Sequence, residues 1–332
     1  MSRLWSIDRA TLVERSFLAL PIGFSIGFGL ILLFSGELAK SPVSVVFLLL
    51  TPLVGAVGLR WKRWRGWLTL VMTALSYEAL AEVIDSVADS SRLLSLFDFD
   101  RYLWGFNLTG RVQSSLSSAS MTDVMAVLYQ LLMPVVVVTS LVVWRRSGQN
   151  FGKYVTAMLL TSYAALVTFL FIPTAPPWLT GAANNLVRAS GLASIPSFLS
   201  PLAALVEPDE FAAFPSLHAA YMVICSYFLL KVDRRIGGAA VLLTGGVLLS
   251  TLYLGQHYLV DLLAGVGYAI APCLISERLQ FFGSKKDAPV GSVPALGGTP
   301  GGPGLQAHET SGALRSTPGA HGCVKSSEGR GR

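Results

Sequence analysis

Ser250-Thr-Leu-Tyr-Leu-Gly-Gln-His257-Tyr-Leu-Val-Asp261 is the stretch whose reading decides the fold. His257 and Asp261 stand four residues apart at the start of an apolar run. On a helix they share one face and come within hydrogen-bonding reach. An ionisable pair at the mouth of a membrane helix costs free energy, which makes function the first hypothesis for it. A second stretch, Phe214-Pro-Ser-Leu-His218, holds the only other histidine outside the C-terminal tail. The two histidines and the aspartate are read together as one site.

Composition places that site in a membrane. Of 332 residues 52% are hydrophobic and only 13% charged, mean hydropathy is +0.58, and several apolar runs approach the ~20 residues that cross a bilayer as helix. The expected fold is all-α, a polytopic bundle of about eight transmembrane helices. Residues 1–15 read as an amphipathic interfacial segment. The spans are expected at about 16–35, 42–59, 66–84, 122–144, 153–172, 215–230, 237–254 and 257–275. Together 16–283 form the transmembrane catalytic domain, with its active-site half at about 120–276. From 284 to 332 the chain is rich in Gly, Pro and Ser and nearly free of large apolar residues, so a disordered cytoplasmic tail is expected there.

The net charge of +6 points to topology rather than to nucleic acid, because the cations sit in short loops between apolar runs. Arg60-Trp-Lys-Arg-Trp-Arg65 reads in the same way. With eight spans, 20 of the 25 Lys and Arg fall on one face, leaving Lys40, Arg92, Arg101, Arg111 and Arg188 on the other. Both termini are therefore expected in the cytoplasm of a multi-pass cell-membrane protein. His218 and His257 then open the sixth and eighth spans on the extracytoplasmic side, separated by one helix in and one helix back, at one depth.

Three other features need a reading. Glu78, Glu82 and Asp85 share one face of the third span, as a proton relay or, more simply, as partners of basic groups. The aromatic-rich segment 86–120 reads as interfacial, lining the site's entrance, with Arg92, Arg101 and Arg111 available to a lipid head group. Cys225 and Cys273 lie in apolar runs and read as small hydrophobes. A transporter would suit the acids of the third span, but no repeat or transport motif supports one.

A carboxylate beside an imidazole sets its tautomer and supports its charged form, leaving the other ring nitrogen as nucleophile or base. A histidine in the first turn of a helix can protonate a leaving oxygen, and Pro215, Ser216 and the free N–H groups there suit an anion. This constellation fits phosphoryl transfer. No metal or cofactor is expected, since two histidines and one aspartate make a poor zinc site.

Pro-Ser-x-His followed by Ser-x-x-Tyr-Leu-x-x-His-Tyr-x-x-Asp resembles the type 2 phosphatidic acid phosphatase superfamily. Pro173-Thr-Ala-Pro-Pro-Trp178, Ala213-Phe-Pro-Ser-Leu-His218 and Ser250-Thr-Leu-Tyr-Leu are similar to its inositol phosphorylceramide synthase branch. The likeness covers about 171–265, with weaker similarity upstream at Gly105, Asn107 and Gln113. It implies a lipid phosphotransferase, or else a lipid phosphate or prenyl diphosphate phosphatase, acting on a membrane phospholipid or isoprenoid phosphate. His257 would be the nucleophile, Asp261 its orienter and His218 the acid, while Ser216, Thr251 and Tyr253 would line the substrate site. The family's Lys/Arg-Pro pair is missing, and Thr251 stands where its phosphatases carry Arg. Arg188, then Arg111 and Arg101, are the expected substitutes for that phosphate clamp. The sequence sets no oligomeric state.

Overall fold

The computed structural model describes residues 22–27, 29–30, 34, 50, 54 and 57, and then 64–87, 94–190 and 212–279. The two expected spans before residue 60 and the expected tail lie mostly or wholly outside the described residues. Over the remainder, helices stand at each of the other six expected spans: α1 (Arg65–Val87), a pair α4 (Ala119–Gln130) and α5 (Leu132–Arg146), α6 (Gly148–Phe171), α8 (Leu217–Val232), α9 (Arg234–Tyr253) and α10 (Leu259–Arg278). Between them come the short α2 (Phe97–Trp104), α3 (Leu108–Leu116) and α7 (Leu186–Ala189). Among the described residues, four stretches are long and apolar enough to cross a membrane: Ala119–Arg146, Gly148–Phe171, Arg234–Tyr253 and Leu259–Arg278. The 16-residue α8 is shorter. Glu78, Glu82 and Asp85 lie on α1, but their side chains fall outside the described residues.

Local chemistry explains the boundaries. Pro134 has no N–H for the carbonyl of Gln130, and its ring crowds that carbonyl, so the expected fourth span is interrupted at Leu131. Ser147 caps α6 by accepting from the Asn150 N–H, and Asp233 caps α9 by accepting from those of Arg235 and Ile236. Gly255, at φ +76°, ends α9 in a left-handed turn where a side chain would be strained.

The central helix is α8, packed against α9, α10, α5 and α6. Its buried Ile224, Cys225 and Phe228 meet Val143 of α5 and Phe151 and Tyr154 of α6. In a bilayer such contacts hold by close packing, with hydroxyl pairs adding about 0.6 kcal/mol each. Ser162 of α6 pairs with Tyr221 of α8 at 2.7 Å, Thr161 of α6 donates to the Tyr268 carbonyl of α10 at 2.8 Å, and Ser226 of α8 pairs with Thr244 of α9 at 2.8 Å. At the end far from the histidines, Glu277 of α10 binds Lys153 of α6 and Lys231 of α8, locking three helix ends together. Outward-facing Val137, Val138, Leu242, Leu263 and Leu274 leave an apolar exterior suited to lipid.

The all-α expectation has one small exception. Leu94–Ser95 (β1) and Thr174–Ala175 (β2) form a two-residue parallel pair, with Leu94 opposite Thr174. Thr174 also bridges to Ala212. Three connecting segments are thereby tied at one point directly before the Pro-Ser-Leu-His motif.

Candidate active site

Two histidines from different connections meet at one end of the bundle. His218 lies in the first turn of α8, behind its N-cap Ser216. His257 lies in the α9–α10 connection, two residues before α10 begins. Their ring centroids are 5.8 Å apart, in an edge-to-face arrangement. Tyr129 of α4 stacks on the other side of His218 at 4.3 Å. His257 is only 6% exposed.

The expected helical pairing of His257 with Asp261 is not what the structure has. The left-handed turn at Gly255 delays α10 to Leu259, so the histidine never joins the helical face that carries Asp261. Nδ1 of His257 lies 3.7 Å from the Asp261 carboxylate, beyond hydrogen-bond length, and 3.0 Å from the carbonyl oxygen of Ala213. A carbonyl can only accept, so Nδ1 is the donor in this contact and Nε2 is the ring nitrogen that faces away from it. Asp261 is fully buried and accepts at 2.8 Å from the N–H of Tyr258, the N-cap of α10. It is a close neighbour of the ring, set beyond hydrogen-bond length from it.

Ser216 is fully buried. Its hydroxyl oxygen accepts from the Ala219 N–H at 3.3 Å, and its own N–H donates to the Asp261 carbonyl at 3.1 Å. It thus joins the two catalytic motifs while capping α8, and its hydroxyl proton is left to donate. Gly265 makes the crossing possible: a Cβ there would lie 2.3 Å from the Ser216 carbonyl oxygen.

Thr251 and Tyr253 do other work than the substrate contacts expected of them. Both are fully buried in α9. The Thr251 hydroxyl donates to the Leu248 carbonyl at 2.8 Å, and its carbonyl accepts from the N–H groups of Gln256 and His257 at 3.0 and 3.4 Å. A short β-branched residue turned back on its own helix therefore shapes the turn that carries His257. The Tyr253 hydroxyl pairs with Thr122 at 2.8 Å and donates to the Leu116 carbonyl at 3.4 Å, fastening α9 to the α3–α4 junction.

The three expected clamp residues are all exposed. Arg188 lies over the ring of Trp178 at 5.3 Å and Arg111 over that of Phe106 at 4.3 Å, both cation–π contacts. Arg188 nevertheless belongs to a segment tied to the turn that precedes His257. Its segment reaches that turn through hydrogen bonds from the Trp178 N–H to the Gly255 carbonyl and from the Leu186 N–H to the Leu254 carbonyl.

Sequence reasoning missed several supporting residues. Asp100 on α2 accepts at 3.1 Å from both the Val260 N–H and the Trp104 indole, and so pins the interfacial helix to the first turn of α10. Burial holds its carboxyl above the usual carboxylate range, against the lowering effect of those donors. The remaining signal was an acid set among aromatic residues, Phe97-Asp-Phe-Asp100. Asn107 caps α3 and donates to the Ala182 carbonyl at 2.7 Å. Gln113 both donates to and accepts from the Asn184 backbone, at 2.8 and 2.9 Å. The weak upstream similarity at these two positions thus corresponds to two clips on the 176–185 connection.

A membrane helix bundle with two histidines and a buried carboxylate converging at one end defines a class of lipid-processing fold. The chain belongs to the PAP2 superfamily, whose pattern matches residues 94–275, more than half of its length. It is similar to the phosphoinositol dihydroceramide synthase of Bacteroides thetaiotaomicron, with 23% identity over 172 residues, 48% of this chain and 56% of that one. The chain thus spans little more than half the length of that curated relative. No solved structure matches it.

Proposed function

We propose that the chain is an integral membrane lipid phosphotransferase that passes a phosphoryl or phospho-alcohol group, phosphoinositol-like, from a membrane lipid to the hydroxyl of an acceptor lipid. The observation that carries this reading is that the Ala213 carbonyl lies 3.0 Å from Nδ1 of His257, which leaves Nε2 as the ring nitrogen to meet phosphorus, with a second imidazole 5.8 Å away across the site. Nε2 attacks phosphorus and the bond from phosphorus to the leaving lipid oxygen breaks. His218 gives that oxygen a proton. The acceptor hydroxyl then attacks phosphorus, the P–N bond breaks, and His218 recovers a proton from the acceptor. Asp261 supports the positive charge that His257 gains while it holds the phosphoryl group. The hydroxyl of Ser216 and the first N–H groups of α8 hold the phosphate oxygens, with Arg188 as the leading cation, then Arg111 and Arg101.

Membership of the PAP2 superfamily and the name of the Bacteroides relative support lipid phosphoester chemistry, and Thr251 in place of Arg supports the transferase branch. The charge bias of the loops supports eight spans, both termini in the cytoplasm and an extracytoplasmic site. The test uses purified protein in detergent with phosphatidylinositol, phosphatidic acid or a prenyl diphosphate, with and without ceramide or diacylglycerol. A new phosphoinositol lipid that requires both donor and acceptor is the expected result. Release of phosphate from every donor regardless of acceptor contradicts transfer and makes water the acceptor.

A further inference from the structure

The hydrogen bond that sets the tautomer of His257 comes from a part of the chain that neither histidine motif contains. Ala213 offers only a backbone carbonyl, so its direction depends entirely on how residues 212–214 are held. Thr174 holds them twice over. Within its backbone bridge to Ala212 its carbonyl accepts from the Ala213 N–H at 3.3 Å, and its side-chain hydroxyl oxygen accepts from the Phe214 N–H at 2.8 Å. Thr174 is itself fully buried and is braced on its far side by pairing with Leu94. The Pro-rich connection after α6 thereby becomes a strap behind the imidazole.

We propose that Thr174 is a positioning residue for the nucleophile, acting through the Ala213 carbonyl, and that this strap, rather than Asp261, selects the Nδ1–H tautomer of His257. The proposal rests on the reading of His257 as nucleophile, a role that requires a free Nε2. The two acceptors near Nδ1 are not equivalent. Ala213 is at hydrogen-bond distance and Asp261 at 3.7 Å, with its Oδ2 already engaged by the Tyr258 N–H. The side chain at 174 must therefore be small and an acceptor. Valine keeps the shape and loses the acceptor; serine keeps the acceptor and loses a methyl group.

The test compares full-length wild type with Thr174→Val, Thr174→Ser and Asp261→Asn, all with 15N-labelled histidine, and assigns the His257 signals through His257→Gln. The expected 15N shifts place the proton on Nδ1 in wild type, Thr174→Ser and Asp261→Asn, and show a mixture of tautomers in Thr174→Val. In turnover, Thr174→Val is expected to lower kcat by about tenfold or more with KM within about twofold, because a displaced reacting group costs rate rather than binding. Thr174→Ser should restore most of it. An unchanged His257 spectrum in Thr174→Val, or loss of the Nδ1–H signal in Asp261→Asn, overturns the strap. Because the tautomer is read without turnover, either result stands apart from the fate of the proposed reaction, which a fully active His257→Gln would overturn.

Discussion

Replacing Gly265 by alanine tests how tightly the two catalytic motifs depend on the crossing of α8 and α10. The added Cβ would lie 2.3 Å from the Ser216 carbonyl oxygen and 2.9 Å from the Ala219 Cβ, where real contacts stay beyond 3.0 Å. The first gap must open to at least that limit, by about 0.7 Å, and its far side is backbone, which cannot turn away. Ser216 leads directly into the turn holding His218, and Gly265 lies one turn beyond Asp261, so the widening falls between the groups proposed to act on one phosphorus atom. A misplacement of this size costs on the order of 10- to 100-fold in kcat, since a shift of about 1 Å costs about a hundredfold. The assay is initial rate against acceptor concentration in detergent, with thermal unfolding measured on the same preparation. Gly267→Ala is the control: a Cβ there meets nothing within 4 Å. It should keep full activity and gain slightly in stability, since alanine favours helix over glycine by about 1 kcal/mol. Wild-type kcat in Gly265→Ala, or an equal loss in Gly267→Ala, would refute the reasoning.

Three further outcomes are expected. His257→Ala and Asp261→Ala abolish turnover, whereas His218→Ala retains slow reaction on a donor with a good leaving group, measured by comparing an aryl phosphate ester with the natural type of lipid donor. Asp100→Ala removes an acceptor from the Val260 N–H and costs about 2 kcal/mol locally, read as faster hydrogen exchange in 97–104 and 258–261. Because burial raises the Asp100 pKa, the folded state binds the more protons between the unfolded and folded values. That contribution to stability is therefore present at low pH and is lost as pH rises through the folded value. Asp100→Asn should remove this slope from the unfolding profile, and an unchanged slope would count against the assignment. Truncation after Lys286 should leave turnover intact in the same lipid assay.

Hydropathy alone made the helices legible, because a span must be apolar along its length whatever it packs against. Pro134 marked the break at Leu131, yet an uninterrupted apolar run from 122 to 144 hid it. The pairing of the two histidines was legible because one helix in and one helix back return a chain to the same end of the bundle. Their detailed chemistry was not. The spacing of His257 and Asp261 assumed a helix through both, and Gly255 changed the partner of Nδ1 by delaying that helix. The Ala213 carbonyl carries no side-chain signal at all, so only the fold could reveal it. Thr251 and Tyr253 were read as substrate contacts because they sit inside a motif, whereas their hydroxyls are committed to the Leu248 carbonyl and to Thr122.

In the proposed reaction phosphorus passes through Nε2 of His257. Brief reaction with a donor lipid labelled with 32P in its transferred group, quenched in alkali and mapped by proteolysis, measures this directly. The predicted result is a base-stable, acid-labile label on the peptide carrying His257, discharged by adding the acceptor lipid and absent from His257→Ala. Label on another residue, or undiminished label in His257→Ala, would contradict it.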